Sequence, residues 1–281
     1  MEKLIDLHAH TIYSDGDLTP DELIKKAIDN NVGTLSITDH DNVLAYKNIT
    51  NTNGIKIIQG VELSAKVDKG RMHILGYGID VDNKNLNKEL NELKEKNIEA
   101  ILMIVDILKK EGVVISDKDI SLIINRVGDV GRPDLARLLV DYGYAVDVED
   151  AFQKYLIDAN EKIKHIKKLL TIEECINLIK ESNGVPVLAH PVSLKQNYKE
   201  LKETLKILKE IGLMGIEVFH SSHSIEDQIQ FLDLAFQYDL LYSGGSDYHG
   251  PIVKPGIELG TGYQKNLCIK KLSVLDYLKE R

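Results

Sequence analysis

This chain of 281 residues has only two cysteines, lacks long apolar runs and has a negative net charge. Its two cysteines, Cys175 and Cys268, are far apart and form no Cys-x-x-Cys spacing, so we expect reduced thiols without a redox role. No apolar run approaches the roughly 18 residues of a membrane span, and the first residues lack the apolar region of a signal peptide. We therefore expect a cytoplasmic protein that does not bind membranes.

The charge balance restricts the class of ligand. Acidic residues number 44 against 35 basic ones, for a formal net charge of −9, which argues against stable binding of duplex nucleic acid. A small phosphorylated ligand is not excluded, because bound metal ions can reverse the local potential. The most basic stretch, residues 162–168, predicts a solvated helix face or connector, with a short-oligonucleotide contact as the alternative.

Apolar runs that read as buried parallel strands alternate with amphipathic helical patterns. The predicted strands cover residues 4–7, 34–38, 55–63, 72–79, 185–189, 215–219 and 240–243. Capping boxes begin two of the helices, at Thr19 and Thr171. Further helices are predicted at 198–210, 224–238 and 269–279. This alternation predicts βαβ units and an α/β fold.

The middle of the chain has a different pattern. Between residues 83 and 170 there is no strand pattern, but a long helical pattern at 86–112 and shorter ones at 116–125, 133–142 and 148–155. We also find no internal repeat. The sequence therefore predicts a barrel in two parts, 1–82 and 171–281, interrupted by an all-helical insertion, or cap, at 83–170.

A dense group of polar side chains follows the first predicted strand, in the segment from Asp6 to Gly16. His8 and His10 are two residues apart, so they share one face of an extended backbone. Asp15 follows in a Ser-Asp-Gly turn. Neutral nitrogen and anionic oxygen donors suit a divalent cation, although a His-x-His pair alone is equally consistent with two surface histidines.

Similar side chains recur at or near the other predicted strands. In chain order they are His8, His10, Asp15, Asp39, His40, Asp41, Glu62, His73, His190, His220, Asp247 and His249. Seven of the nine histidines belong to this set; we interpret the other two, His165 and His223, as a surface residue and a helix-entry residue. Because the strand ends of an α/β barrel share one rim, the set predicts a metal site there.

The motifs around these residues resemble those of the PHP (polymerase and histidinol phosphatase) superfamily. They are Asp6-Leu7-His8-Ala9-His10-Thr11, Ser14-Asp15-Gly16, Thr38-Asp39-His40, Gly60-Val61-Glu62, His73, Ala189-His190-Pro191 and Ser246-Asp247-Tyr248-His249. The resemblance implies a distorted seven-stranded β/α barrel with two or three metal ions on its rim. The residues 73–80, Gly131-Arg132-Pro133 and residues 215–218 look most like the stand-alone phosphoesterases that act on nucleotides.

The resemblance also implies the metal ligands. One ion would be held by His8, His10, Glu62 and Asp247, a second by Asp15, His40 and His249, and a third by Glu62, His73 and His190. Mixed nitrogen and oxygen donors suit Mn²⁺, Fe²⁺ or Zn²⁺. The implied catalytic residues are Asp15, His40, Asp247 and His249, which act through a metal-activated water that attacks phosphorus.

Other residues are expected to bind the substrate or to support the metal ligands. Arg132 offers a bidentate fork for phosphate, with an ordinary helix-start arginine as the alternative. Asp134 stands where the nucleotide-acting relatives usually have histidine, so it would meet a sugar hydroxyl or a basic group, or favour the helix start. His220 is expected to contact phosphate or protonate the leaving oxygen. Asp39 and Asp41 would orient neighbouring imidazoles or serve as turn carboxylates.

The sequence thus predicts metal-dependent hydrolysis of a small phosphomonoester, a nucleoside monophosphate or a 3',5'-bisphosphate. An exonuclease that trims short oligonucleotides is the enzymatic alternative, because the same cluster can hydrolyse a diester. A metal-stabilised binding module without catalytic activity is the alternative from another class.

Overall fold

The computed structural model describes residues 2–67, 70–128, 130–163, 166 and 168–281. His165 and part of the basic stretch 162–168, for which we predicted a surface role, lie outside the described residues. The chain divides into two compact units. One contains the residues up to Asn87 together with Leu170–Arg281, and the other contains Lys88–Leu169.

A seven-stranded sheet forms the centre of the first unit, and its strands are neighbours in sequence order. They are β1 Leu4–Asp6, β2 Val32–Ile37, β3 Lys56–Ala65, β4 Met72–Tyr77, β5 Val185–Leu188, β6 Gly215–His220 and β7 Leu241–Gly245. The α/β fold with seven strands is confirmed. Leu7, Leu75, Tyr77 and Val187 are buried within its core.

The direction of β4 differs from our prediction of parallel strands throughout. β4 pairs antiparallel with both β3 and β5, whereas the other neighbouring pairs are parallel. The reason is the short connection at residues 66–71, which cannot contain the crossover that a parallel pair needs. Because β4 is reversed, its first residues lie at the end of the sheet where the parallel strands finish. His73, the second residue of β4, therefore lies beside the metal-site candidates.

Hydrogen bonds connect the two edges of the sheet. Leu7 donates its backbone N–H to Gly244 at 3.2 Å, Asp247 donates to His8 at 2.8 Å, and His10 donates to Tyr248 at 2.8 Å. The segments that follow β1 and β7 consequently run side by side. This arrangement brings the first and last motifs of the chain together.

Helices flank the sheet where the periodicity predicts them. They are α1 Pro20–Asp29, α7 Ile172–Glu181, α8 Tyr198–Ile211, α9 Ile225–Gln237 and α10 Ser273–Lys279. Thr19 and Thr171 cap α1 and α7 in complete capping boxes, as predicted. The predicted helix at 269–279 begins only at Ser273, because Ile269 accepts a hydrogen bond from Ile5 of β1 and is therefore tied to the sheet.

A short hairpin was not predicted from the sequence. β8 Ile257–Glu258 and β9 Gly262–Tyr263 pair antiparallel. Each strand has only two residues, which is too few for alternation of apolar and polar residues to be recognised.

The second unit is helical wherever it has regular structure among its described residues. The long helix α2 Lys84–Lys110 leads into it, and α3 Asp117–Ile124, α4 Arg132–Asp141, α5 Val148–Ala151 and α6 Ile157–Ile163 follow. A π-helical turn at Phe152–Leu156 joins α5 to α6, so helical backbone continues past residue 155, where the prediction ended. Ile104, Leu135, Leu139 and Leu156 are fully buried in its core. Within the described parts of the chain, no helix has the length and apolar character needed to cross a bilayer.

Candidate metal centre

Asp6 joins the N-terminal motif to the C-terminal motif. Its buried carboxylate accepts hydrogen bonds from the backbone N–H groups of His8 (3.2 Å), Ser246 (2.9 Å) and Gly260 (2.7 Å). A Cβ atom on Gly245 would overlap the backbone nitrogen of His8, so only glycine permits this close approach. Asp6 therefore has a structural role beside the candidate ligands, which the sequence analysis did not assign.

Glu62, near the end of β3, lies at the centre of the histidine cluster. Its Oε1 is 2.8 Å from His73 Nδ1 and 2.9 Å from His190 Nε2. Its Oε2 is 3.2 Å from His8 Nε2, from His10 Nε2 and from His40 Nδ1. Each oxygen thus faces a separate group of imidazoles, as a carboxylate that bridges two cations would.

Two further carboxylates face the same cluster from the ends of the chain. Asp247 Oδ1 lies 3.2 Å from His10 Nε2 and 3.5 Å from His8 Nε2. Asp15 Oδ1 lies 3.1 Å from His249 Nε2, and Asp15 Oδ2 lies 4.0 Å from His40 Nε2. The structure therefore brings together all nine residues that the sequence analysis suggested as metal ligands.

The spacing of these atoms fits divalent cations. Ligands about 2.1 Å from an ion, the usual distance for nitrogen and carboxylate oxygen on zinc, are separated from one another by about 3.0–3.4 Å in octahedral or tetrahedral geometry. The separations around Glu62 and Asp247 lie close to this range. Moreover, the contacts of His10 Nε2 and His40 Nδ1 with these carboxylates do not have hydrogen-bond geometry, so both buried atoms lack a hydrogen-bond partner among the described residues, although buried polar atoms normally have one.

Four groups of side chains in the described residues have donor atoms within 4.8 Å of one another. They are His8, His10 and Glu62; His40, Glu62 and His73; His10, Asp15, His40 and His249; and His8, His220 and Asp247. The first three overlap with the three expected ligand sets, but Asp247 is missing from the first group and His190 from all four, whereas His10 and His40 each join one additional group. The fourth group adds His220, which we had predicted to contact substrate.

The electrostatics of the cluster show how strongly it favours positive charge. Burial opposes ionisation of Glu62 and Asp247, but the surrounding histidines keep the pKa of both carboxyl groups well below the usual range. Burial likewise opposes the charged form of His10, yet the carboxylates of Asp247 and Glu62 raise its pKa to about 9. Burial lowers the pKa of His40 to about 3. Protons on some imidazoles thus supply part of the positive charge that divalent cations would supply instead.

Hydrogen bonds from behind the cluster orient its imidazoles. Fully buried Glu217 in β6 lies 2.9 Å from His8 Nδ1 and accepts from the backbone N–H of His190 at 2.7 Å. Ser14 Oγ lies 3.2 Å from His10 Nδ1 and donates to Asp39 at 2.6 Å. Such partners fix which ring nitrogen carries the hydrogen.

Asp39 therefore supports His10 through Ser14, whereas Asp41 accepts from the backbone N–H of Ser64 at 3.0 Å. Glu217 lies within one of the family motifs, but we assigned it no role from the sequence. Its partner His8 lies 209 positions away in the chain, and no local pattern reveals such a pair.

A cavity of about 450 Å³ opens over the cluster. Its lining includes the candidate ligands His40, Glu62, His73, His190 and Asp247, together with His220. Two cations, Arg71 and Lys254, and the side chain of Tyr263 from the unpredicted hairpin also line it. Lys254 Nζ lies 2.6 Å from Asp247 Oδ2. These three residues were missed because each lies in a loop or very short strand whose sequence carries no distinct motif.

A larger cavity of about 760 Å³ elsewhere in the first unit is lined by residues such as Tyr46, Lys56 and Leu278, none of which belongs to the histidine cluster. Among the described residues, its lining contains no histidine, aspartate or glutamate, so this cavity is not a candidate for the same chemistry.

The two predicted substrate residues of the helical unit lie at the start of α4. Asp134 accepts hydrogen bonds from Gly131 N–H (3.0 Å), Arg126 (2.6 Å) and Arg137 (3.3 Å). It therefore pairs with two arginines of its own unit and stabilises the start of α4. The guanidinium of Arg132 lies over the ring of Phe152, 5.6 Å from its centroid. Contact of either residue with substrate stays a prediction.

His223, interpreted from the sequence as a helix-entry residue, directly precedes Ser224, the N-cap of α9. It is buried, and its Nδ1 lies 2.8 Å from the carbonyl oxygen of Val218. Burial lowers its pKa to about 4. His223 is absent from all four candidate ligand groups.

Comparisons with known proteins identify the family of this chain. The family model described as PHP domain matches residues 6–218. The chain is 34% identical over 263 residues to the 5'-3' exoribonuclease Rnm of Escherichia coli K12, covering 92% of this chain and 88% of the relative. It is 30% identical over 251 residues to the 3',5'-nucleoside bisphosphate phosphatase of Chromobacterium violaceum, covering 88% and 87%.

Solved structures of similar proteins have the same fold. An amidohydrolase from Chromobacterium violaceum, with bound sulfate and no metal, superposes with a TM-score of 0.77 at 27% identity, covering 98% of this chain and 96% of the other. A candidate metal-dependent phosphoesterase from Bifidobacterium adolescentis superposes with a TM-score of 0.75 at 26% identity, covering 99% and 95%. The resemblance noted in the sequence motifs is thus confirmed, and the chain belongs to the PHP domain family.

Proposed function

We propose that the protein hydrolyses the phosphomonoester of a nucleotide, either a nucleoside monophosphate or a 3',5'-bisphosphate. The chain is a metal-dependent phosphoesterase of the PHP domain family, and the proposal concerns its substrate and site residues. One observation carries it: the histidine cluster centred on Glu62 forms part of the lining of a 450 Å³ cavity that also contains Arg71 and Lys254. Metal ligands and cations in one cavity suit a small phosphorylated molecule.

In this proposal the cations are held by the three sets of side chains suggested by the sequence. His8, His10, Glu62 and Asp247 hold one, Asp15, His40 and His249 hold a second, and Glu62, His73 and His190 hold a third. Bound divalent cations lower the pKa of a coordinated water and stabilise negative charge on phosphoryl oxygens. Mn²⁺, Fe²⁺ and Zn²⁺ all suit such mixed donors.

The other residues of the cavity bind and orient the substrate. Arg71 and Lys254 supply positive charge for the phosphate and for a second phosphate of a bisphosphate. Tyr263 and Ile257 give one side of the cavity an apolar surface, against which a base can stack. In this assignment the scissile phosphate lies over the cluster, and the nucleoside extends towards the β8–β9 hairpin.

A second candidate activity is exonucleolytic cleavage of short oligonucleotides. It is favoured by the 34% identity to the exoribonuclease of Escherichia coli. The cluster suits either reaction, because a phosphodiester and a phosphomonoester both present non-bridging phosphoryl oxygens to the cations and a phosphorus atom to the attacking water. The two activities differ in their products: inorganic phosphate from the monoester, and mononucleotides from the oligomer.

Product analysis separates these candidates. Purified protein is incubated with nucleoside monophosphates, a 3',5'-bisphosphate, sugar phosphates and short RNA and DNA oligomers, each with Mn²⁺, Fe²⁺ or Zn²⁺. We expect inorganic phosphate from the nucleotides. Mononucleotides from oligomers, with no phosphate from nucleotides, would favour the exonuclease. If the protein bound fewer than two metal ions and cleaved nothing, a non-catalytic binding module would replace both.

A further inference from the structure

His220 belongs to a possible ligand group with His8 and Asp247, but its hydrogen bonds point to a different role. We propose that His220 is not a metal ligand and that its Nε2–H donates a hydrogen bond to the phosphoryl group of the substrate. This inference rests on the proposed function for the identity of the acceptor. Its first half, that His220 holds no metal ion, stands on the hydrogen bonds alone.

The hydrogen on the His220 ring is located by its neighbour. The backbone N–H of Ser222 donates to His220 Nδ1 at 3.0 Å, and the hydroxyl of Ser222, which can donate or accept, lies 2.8 Å from the same nitrogen. A backbone amide nitrogen can only donate, so Nδ1 must be the acceptor, and the hydrogen of the neutral ring is on Nε2. Nε2 then has no lone pair for a metal ion. Nδ1 has a lone pair, but it already accepts this bond.

Three other histidines of the cluster, His8, His190 and His249, have the opposite arrangement. His8 Nδ1 faces the carboxylate of Glu217 at 2.9 Å, and His249 Nδ1 faces the carbonyl oxygen of Asp247 at 2.9 Å. His190 Nδ1 lies 3.0 Å from Ser193 Oγ, whose own hydrogen is donated to the carbonyl oxygen of Arg71. These partners accept from Nδ1, which leaves the lone pair on Nε2, towards the cluster.

The position of His220 Nε2 matches a contact with an anion. His220 is 4% exposed and lines the cavity, and its Nε2 makes no hydrogen bond within the described residues. Asp247 Oδ2 lies 3.3 Å from Nε2 and 2.6 Å from Lys254 Nζ. Asp247 Oδ2 lies near Nε2 without forming a hydrogen bond to it in the described part of the chain, so this buried N–H lacks the acceptor that such groups normally have. A phosphoryl oxygen bound in the cavity beside Asp247 would supply that acceptor.

Three variants test the assignment. His220→Ala removes the donor, and His220→Gln restores an N–H near the position of Nε2. His190→Ala is the matched control, because it removes a neighbouring imidazole whose Nε2 has the lone pair. The metal content of each protein, measured by elemental analysis after loading with Mn²⁺ or Zn²⁺ and gel filtration, is the first readout. Binding of inorganic phosphate to the metal-loaded proteins, measured by calorimetry, is the second.

We expect His220→Ala to retain the metal content of the wild type and to bind phosphate about 10- to 100-fold more weakly, the range for loss of a hydrogen bond to a charged group. His220→Gln should recover part of this affinity, and His190→Ala should lose metal. A loss of metal in His220→Ala as large as in His190→Ala would overturn the proposal, and so would unchanged phosphate affinity. Neither readout needs turnover, so a wild type that binds phosphate but hydrolyses no nucleotide would refute the proposed substrate and leave the role of His220 intact.

Discussion

Replacement of Glu217 by glutamine should weaken metal binding without changing the shape of the core. Glu217 accepts from the backbone N–H of His190 and faces His8 Nδ1. The N–H of His190 can only donate, so the glutamine oxygen must stay on that side. The amide NH₂ group of glutamine then faces His8 Nδ1, which must become an acceptor. The ring hydrogen of His8 consequently moves to Nε2, where the ion should bind.

The size of the effect follows from the hydrogen bonds that metal binding would break. To bind the ion through Nε2, the variant must place the hydrogen of His8 on Nδ1, where it faces the N–H of the introduced glutamine and neither group has an acceptor. The hydrogen bond between this N–H and Nδ1 is then lost, at about 0.5–1.5 kcal/mol, and the two facing buried donors stay unsatisfied, at about 1–3 kcal/mol. A total of about 2–4 kcal/mol corresponds to a metal affinity about 30- to 1000-fold lower for the ion bound by His8.

The assay is a titration of chelator-treated protein with Mn²⁺ or Zn²⁺, followed by calorimetry. Glu210→Gln, at an exposed position in the last turn of α8, is the matched control for the loss of a negative charge. The metal-free melting temperature shows whether the core is intact. Equal affinity of Glu217→Gln and the control for every ion would refute the reasoning, because the hydrogen on His8 would then not be set by Glu217.

Three other predictions concern the same site. Asp247→Asn should abolish turnover and reduce the metal content found by elemental analysis, because the amide cannot supply an anionic oxygen opposite His8 and His10. A variant with the full metal content of the wild type would contradict this prediction. Metal binding should release protons and should strengthen as the pH rises towards 9, because the pKa of His10 is raised to about 9 and its proton must leave before the cation binds. Calorimetry in two buffers of different ionisation enthalpy measures the number of protons released. Metal binding without proton release at pH 7 would contradict this prediction. Arg132→Ala should mainly raise KM if the guanidinium binds the phosphate equally in the ground and transition states. It should lower kcat if the contact strengthens in the transition state. Unchanged steady-state kinetics would show that Arg132 does not contact the substrate.

The sequence was most informative where chemistry and strand position coincide. Short motifs at strand ends identified Glu62, Asp247 and the histidines, because a parallel β/α fold places strand ends at one rim. Strand direction was less accessible. The apolar run of β4 reads the same in either direction, and only the short connection from β3 shows that the pair is antiparallel.

The remaining residues of the site depend on contacts between distant parts of the chain. Glu217 orients His8 from 209 positions away, and Lys254 meets Asp247 in a loop without a motif. The hydrogen on His220 is located by one backbone amide, that of Ser222. Such features come from three-dimensional packing, so residue type and spacing do not predict them.

We propose that the cluster around Glu62 is a metal-dependent phosphomonoesterase site. The most direct measurement is inorganic phosphate released from a 3',5'-bisphosphate by chelator-treated wild-type and Glu62→Gln proteins, before and after addition of Mn²⁺. We expect no release without metal, release by the wild type once Mn²⁺ is added, and none by Glu62→Gln under either condition. Equal phosphate release by the two proteins, or release by the wild type that does not depend on the added metal, would contradict the claim.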